Sequence, residues 1–124
     1  MRTILLVGLG GFIGSIFRYI VSRFIVAHSS GCFPWGTFII NLSGCFLIGL
    51  LCGFAGRSEW FSTELRMLLI VGVCGGFTTF STFSSESLIL LRSGNSILFL
   101  LYILGSVMIG LLCTYVGLVL TSAK

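Results

Sequence analysis

The chain has 124 residues, of which 56% are hydrophobic and only 8% are charged, and its mean hydropathy is +1.18. Soluble domains carry about 25% charged residues, so this composition argues against a soluble domain and predicts an integral membrane protein with one domain over residues 1–124. The net charge of +4 comes from scattered basic residues, and this scatter argues against a nucleic-acid surface.

Four hydrophobic stretches follow one another along the chain, at about residues 3–27, 35–55, 65–91 and 96–120. Each has the roughly 20 residues that a helix needs to cross about 30 Å of hydrocarbon. The first stretch continues past the length of a signal peptide without a convincing cleavage site, so we interpret it as a membrane helix. The connectors, at 28–34, 56–64 and 92–95, are short, and neighbouring helices are therefore expected to be antiparallel.

The basic residues give only a weak signal for orientation in the membrane. With four spans, one side holds Arg2, Arg57, Arg66 and Lys124, and the other holds Arg23 and Arg92. Orientation follows the asymmetry of lysine and arginine, and this asymmetry is shallow. Two alternatives stay open: a single orientation with a small bias, or insertion in both orientations, which would allow identical subunits to assemble antiparallel.

Small residues recur one turn apart within the stretches. The glycine pairs are Gly10 with Gly14, Gly49 with Gly53 and Gly72 with Gly76. Such pairs allow helix backbones to approach closely, so they predict tight packing and nothing more specific. We interpret the five cysteines as small buried apolar residues rather than as a metal site or a disulfide framework, because no C-x-x-C pair occurs.

The third stretch contains the most unusual segment, GGFTTFSTFSS at residues 75–85. Lipid offers no hydrogen bonds, so broken or hydroxyl-rich backbone at membrane depth is tolerated only where protein or water surrounds it. We expect Gly75 and Gly76 to break the helix and free backbone groups near the middle of the membrane. Freed carbonyls would suit a cation, and a half-helix N-terminus would suit an anion.

Two ionisable residues lie within the stretches, where such groups are costly and usually functional. Arg18 would face a water-filled vestibule or the protein interior, or its side chain would extend to a helix end. Glu86 would pair with an arginine, line a vestibule, or lie at a helix end near water. The sequence leaves these alternatives open.

Uncharged polar side chains also occur in pairs on shared helix faces. Thr37 and Asn41 are spaced i, i+4, as are Tyr102 and Ser106. Their ordinary role would be to join helices by hydrogen bonds. Phe80 and Phe83 share a face next to the hydroxyl-rich run. Their ordinary role would be to face lipid or to pack, and the alternative is that their positive ring edges contact an anion, which their ring faces would repel.

Hydrogen-bond donors dominate this set and predict a polar path for a small ion. They are Thr37, Asn41, Thr79, Ser81, Thr82, Tyr102 and Ser106. The chain has one histidine and three acidic residues, and it contains no P-loop, zinc spacing, Ser-His-Asp set or dinucleotide loop. We therefore do not expect an enzyme.

The combined motifs resemble the Fluc fluoride channels, a family also called CrcB. The matching segments are Gly10-Gly11-x-x-Gly14-x-x-x-Arg18-Tyr19, Pro34-Trp35-Gly36-Thr37-x-x-x-Asn41-x-x-Gly44 and Gly75-Gly76-x-Thr78-Thr79-Phe80-Ser81-Thr82-Phe83. The resemblance covers the whole chain. It implies an all-α membrane protein of four transmembrane helices with a break in the third, assembled as an antiparallel, dual-topology homodimer with two pores at the subunit interface.

The resemblance also implies a role for particular residues. Phe80 and Phe83 would turn ring edges toward fluoride, and Asn41 would be a pore residue. Ser81, Thr82, Thr37, Tyr102 and Ser106 would form a track of donors, while Arg18 and Glu86 would lie near the vestibule and the end of the pore. The carbonyls of Gly75 and Thr78 would hold a structural Na⁺ at the dimer centre. The expected task is passive export of toxic fluoride across a bacterial inner membrane.

Two other functions compete with this interpretation. A small multidrug exporter also has four short helices, but it uses an acidic residue in its first span, where this chain has Arg18 and no carboxylate. The second is a structural subunit or a lytic pore-former with no selective path.

Overall fold

The computed structural model describes residues 1–122, and this part of the chain is helical with short connectors. Within these residues, four helices are long and apolar enough to cross a membrane, as predicted. They are α1 (Arg2–Ala27), α2 (Trp35–Arg57), a third span over Thr63–Arg92 that consists of α3 (63–77) and α4 (Phe80–Arg92), and α5 (Ser96–Ser122). Their ends lie within two residues of the predicted ends.

Helix α3 is wider than an α-helix over most of its length. It begins with one α-helical turn, Thr63–Leu65, continues as a π-helix over Arg66–Cys74, and ends with the α-helical residues Gly75–Phe77. The π-helix is rare and occurs frequently at functional sites. The apolar sequence of this stretch has no signal that distinguishes it from an α-helix, so this feature was not predicted.

The predicted break in the third span is confirmed, but it lies at Thr78 and Thr79 and not at the two glycines. Gly75 is helical, with φ −63° and ψ −37°, whereas Thr78 and Thr79 are extended, with ψ of 162° and 120°. Gly76 instead allows close packing of the helices, because a Cβ on Gly76 would lie 2.9 Å from the Cα of Gly11. Threonine is β-branched and tolerates extended backbone well.

Close glycine contacts hold the spans together, as the paired glycines predicted. A Cβ on Gly10 would lie 2.8 Å from the Cα of Gly72, where α1 packs on α3. A Cβ on Gly49 would lie 3.0 Å from the backbone nitrogen of Leu118, where α2 packs on α5. Backbone therefore packs against backbone at both seams, which is a common way to associate helices in lipid.

Arginines bind the helix ends on one side of the bundle. The Arg57 guanidinium donates to the Thr121 carbonyl at 2.9 Å, and Arg66 donates to the Ala55 carbonyl at 2.6 Å. Arg2 pairs with Glu64 at 3.1 Å. Cations are favourable beside the free carbonyls of a helix C-terminus. Lys124, counted above on the same side, lies outside the described residues.

The cysteines follow the prediction only in part. All five are free. Only Cys74 is buried, whereas Cys32 and Cys52 are exposed in the single chain. Cys32 lies in the connector after α1, and Cys52 lies on the apolar exterior of α2, so burial was the wrong expectation for these two.

Candidate ion pathway at the helix break

Asn41 of α2 binds the backbone of Thr79 at the break. Its Nδ2 donates to the Thr79 carbonyl at 3.0 Å, and the Thr79 amide donates back to Oδ1 at 2.9 Å. The carboxamide carries a donor and an acceptor together, so one side chain satisfies two backbone groups that the break would otherwise leave unpaired in lipid. One N–H of the Asn41 amide is not used by this pair of bonds.

This arrangement also changes the hydrogen bonding of Gly75. In a continuous α-helix, the Thr79 amide would donate to the Gly75 carbonyl, but here it donates to Asn41. The preceding bond of the ladder is kept, because the Thr78 amide donates to the Cys74 carbonyl at 3.0 Å. The Gly75 carbonyl is therefore the first one released at the break.

Arg18 extends toward the same place from α1. Its side chain is half-buried, and Nη1 donates to the Thr78 carbonyl at 3.4 Å. This contact fits the alternative in which Arg18 faces the protein interior. It does not fit the alternative in which the Arg18 side chain extends to a helix end. A positive charge thus lies next to the break.

Glu86 holds two of the predicted donors. The Thr37 hydroxyl donates to Oε1 and the Tyr102 hydroxyl to Oε2, each at 2.8 Å. Tyr102 is fully buried and Thr37 is buried, so both bonds lie inside the protein, where a hydroxyl without a partner would be costly. Glu86 lies in the middle of α4, and in the described part of the chain it makes no ion pair with an arginine.

A cavity of about 440 Å³ lies beside the break, between α2, the third span and α5. Asn41, Thr79, Phe80, Phe83 and Ser106 are part of its lining. The Ser106 Oγ is buried and has no hydrogen-bond partner among residues 1–122. Buried hydroxyls are usually paired, so the Ser106 proton is available for a group inside this cavity.

The two phenylalanines stand together at the cavity. Their ring centroids are 5.8 Å apart with the planes tilted by 47°. Phe83 also contacts the ring of Tyr102, with centroids 5.0 Å apart. The rings therefore connect the cavity to the cluster of Thr37, Glu86 and Tyr102.

Ser81 and Thr82 lie outside both groups, on an exposed face of α4. The Thr79 hydroxyl donates to Thr82 Oγ1 at 3.1 Å and lies 3.4 Å from Ser81 Oγ. It also accepts from the Thr82 amide at 3.3 Å and so caps α4. Thr79 was named above only as one donor among several, although a threonine before a helix start is a recognisable cap signal.

Comparison with known proteins identifies the family. Residues 5–118 match the family described as CrcB-like protein, Camphor Resistance (CrcB). A relative from Phocaeicola vulgatus is 46% identical over 118 residues, covering 95% of this chain and 97% of the relative. A relative from Rhizobium meliloti is 44% identical over 123 residues, covering 99% and 98%.

Both relatives bear the name fluoride-specific ion channel FluC, as does a protein from Chlorobium phaeobacteroides that is 47% identical over 115 residues, covering 93% of this chain and 89% of its own. These are names of channels, so the expectation that the chain is not an enzyme is confirmed. Four apolar helices and bacterial relatives also confirm a multi-pass membrane location. On the match over residues 5–118 and these identities, the chain belongs to the CrcB family.

Proposed function

We propose that this protein is a fluoride-selective ion channel. The observation that carries the proposal is the cavity at the helix break, where Asn41, the Ser106 hydroxyl, which has no partner among residues 1–122, and the rings of Phe80 and Phe83 come together. The names of the relatives support fluoride as the ion.

The lining suits a small anion that must lose water. Donors replace part of the hydration shell of an ion in a narrow pore, and binding must stay weak enough to allow exit. Asn41 and Ser106 supply N–H and O–H protons, and the edges of Phe80 and Phe83 carry partial positive charge. Thr37 and Tyr102 continue the path as donors around Glu86, and Ser81 and Thr82 add hydroxyls on the exposed face of α4.

A second, identical subunit completes the pathway. The hydroxyl residues Ser81, Thr82, Ser84 and Ser85 are exposed on the single chain, although they follow directly on the break in the middle of the third span. Lipid cannot satisfy them, and Phe80 is 79% exposed beside them. We infer that an antiparallel, dual-topology homodimer covers this face and forms two pores along its interface.

Sodium fits the backbone of the break as a structural ion. The Gly75 carbonyl lacks its helical donor, and the Thr78 carbonyl accepts only a long bond, 3.4 Å, from Arg18. Carbonyl oxygens are ligands for hard cations. Gly75 and Thr78 of both subunits would hold Na⁺ at the dimer centre, where it would tie the two breaks together.

The proposed channel has a vestibule and passes fluoride passively. Arg18 would attract the anion toward the break, and Glu86 would lie toward the end of the pore. Flow would be passive, so fluoride would leave the cytoplasm down its gradient and the cell would gain fluoride resistance.

Efflux from liposomes tests the function. Purified protein is reconstituted in liposomes loaded with fluoride or, as the control ion, chloride, and release is followed with ion-selective electrodes. We expect fluoride release without chloride release. A multidrug exporter would leave fluoride trapped, and an unselective pore-former would release both ions and would be insensitive to Phe80→Ile and Asn41→Asp.

Native Cys32 offers a test of dual topology, because it is exposed in the connector between α1 and α2. A membrane-impermeant maleimide is added to sealed cells, with permeabilised cells as the full-labelling reference and Cys32→Ser as the background. Dual topology predicts labelling of about half of the copies. Labelling of all copies or of none would contradict the antiparallel dimer but not the fluoride selectivity.

A further inference from the structure

A second groove lies on α1, one turn beyond Arg18 toward the C-terminal end of the helix. It has a volume of about 390 Å³ and is lined by Tyr19, Ser22, Arg23, Val26 and Ala27. Arg23 is four residues before the end of α1 at Ala27, which is about 6 Å along the helix axis. The groove therefore lies where the span reaches the membrane surface.

The polar end of the groove is basic and preorganised. Arg23 is exposed, its Nη1 donates to the Tyr19 hydroxyl at 3.3 Å, and the guanidinium lies 5.9 Å from the centre of the Tyr19 ring. In the described part of the chain Arg23 has no carboxylate within 4.0 Å. Glu64 is in an ion pair at the opposite end of the bundle, and Glu86 is held by two hydroxyls.

The surroundings of the groove are apolar and exposed on the single chain. On the same helix, Ile20 is 59% exposed and Phe24 is 65% exposed, and Val26 and Ala27 form the apolar side of the groove itself. A free anion would not contact this apolar surface. A phospholipid would contact it with an acyl chain and would bind the guanidinium with its phosphate.

We propose that this groove binds the phosphate of an anionic phospholipid, with Arg23 as the main ligand and the hydroxyls of Tyr19 and Ser22 beside it. Arginine recognises phosphate through two parallel N–H bonds, and basic groups near the membrane surface bind anionic head groups. The site lies outside the ion pathway, so the proposal does not rest on the identity of the transported ion.

Native mass spectrometry of the purified full-length protein tests this site. The protein is titrated with phosphatidylglycerol, with phosphatidylcholine as the zwitterionic comparison of zero net charge and inorganic phosphate as the free anion. We expect phosphatidylglycerol adducts to dominate, and Arg23→Gln to weaken the tightest adduct by about fivefold, the value of one basic group near a membrane surface. Tyr19→Phe should weaken it less.

Arg92→Gln is the matched control, because Arg92 is exposed and lies at the end of α4, on the same side of the membrane but outside the groove. It should leave the tightest adduct unchanged. If Arg23→Gln and Arg92→Gln weaken the phosphatidylglycerol adduct equally, the lipid is attracted unspecifically to positive charge, and the proposal is overturned. Equal binding of both lipids, or displacement of the lipid by inorganic phosphate, would overturn it as well.

Discussion

Asn41 and Thr79 are joined by two hydrogen bonds that run in opposite directions, at 3.0 and 2.9 Å. The side chain of α2 thus takes the place of the helical ladder at the point where the third span is extended. A buried polar group left without a partner costs about 1–3 kcal/mol, so this pair stabilises the break itself. It also fixes Phe80, the next residue, at the cavity.

Asn41→Asp should abolish fluoride efflux and lower the melting temperature in detergent. The aspartate still accepts from the Thr79 amide, but it cannot donate to the Thr79 carbonyl when ionised, and it puts a negative charge beside the path of an anion. Ser43→Ala is the control, because Ser43 is exposed on the same helix and bonds only to its own backbone at Ile39. Wild-type efflux in Asn41→Asp would refute the role of Asn41 in the pathway.

Ser106→Ala should lower fluoride efflux without lowering the melting temperature, because the Ser106 hydroxyl has no partner to lose within residues 1–122. Thr121→Val provides the opposite case. The Thr121 hydroxyl bonds to the Leu50 carbonyl of α2 at 3.1 Å and to Gly117 at 3.0 Å, so its loss should cost about 1 kcal/mol of stability with efflux retained. If Ser106→Ala destabilises the protein and leaves efflux intact, the hydroxyl is structural.

Phe80→Ile should reduce fluoride efflux strongly without disturbing packing inside the subunit, since Phe80 is largely exposed on the single chain. Phe83→Ile should reduce efflux and also lower the melting temperature, because Phe83 packs against the buried ring of Tyr102. Isoleucine keeps an apolar side chain but has no positive ring edge. Efflux and thermal unfolding of both variants check this difference, and unchanged efflux in both would exclude the rings from the path.

Gly14→Ala should destabilise the fold, because its Cβ would lie 2.8 Å from the backbone nitrogen of Phe77 in α3. Forcing extra volume into a packed seam costs about 1–3 kcal/mol. Gly8→Ala is the matched control on the same helix, with no atom within 4 Å of the added methyl group. It should be neutral or stabilising by up to about 1 kcal/mol. Thermal unfolding in detergent distinguishes the two, and equal melting temperatures would contradict the close contact.

Much of the fold is predictable from local pattern. Hydrophobic length alone locates all four spans, and the paired glycines predict tight packing but not which helices meet. The exact position of the break cannot be predicted from the local sequence, because the Thr79 amide donates to Asn41, 38 residues earlier in the chain. The role of the Gly75–Gly76 pair was misjudged for the same reason, since the approach of Gly11 to Gly76 depends on how α1 packs.

The candidate site was likewise predictable from the sequence only in part. The spacing i, i+4 predicted that Thr37 with Asn41, and Tyr102 with Ser106, share helix faces, and it could not say what each side chain meets. In the structure Thr37 and Tyr102 donate to Glu86, and the Ser106 hydroxyl at the cavity has no partner within residues 1–122. These outcomes depend on the relative rotation of three helices, which no single segment encodes.

The amino-acid sequence by itself determined that this is a membrane protein of four helices with a polar interruption in the third, because apolar length and hydroxyl content are properties of each segment. Only the tertiary structure decided where the interruption lies and which polar groups are paired. A hydrogen bond needs two partners at about 3 Å, and packing of distant segments alone brings Asn41 to Thr79, Arg18 to Thr78 and two hydroxyls to Glu86.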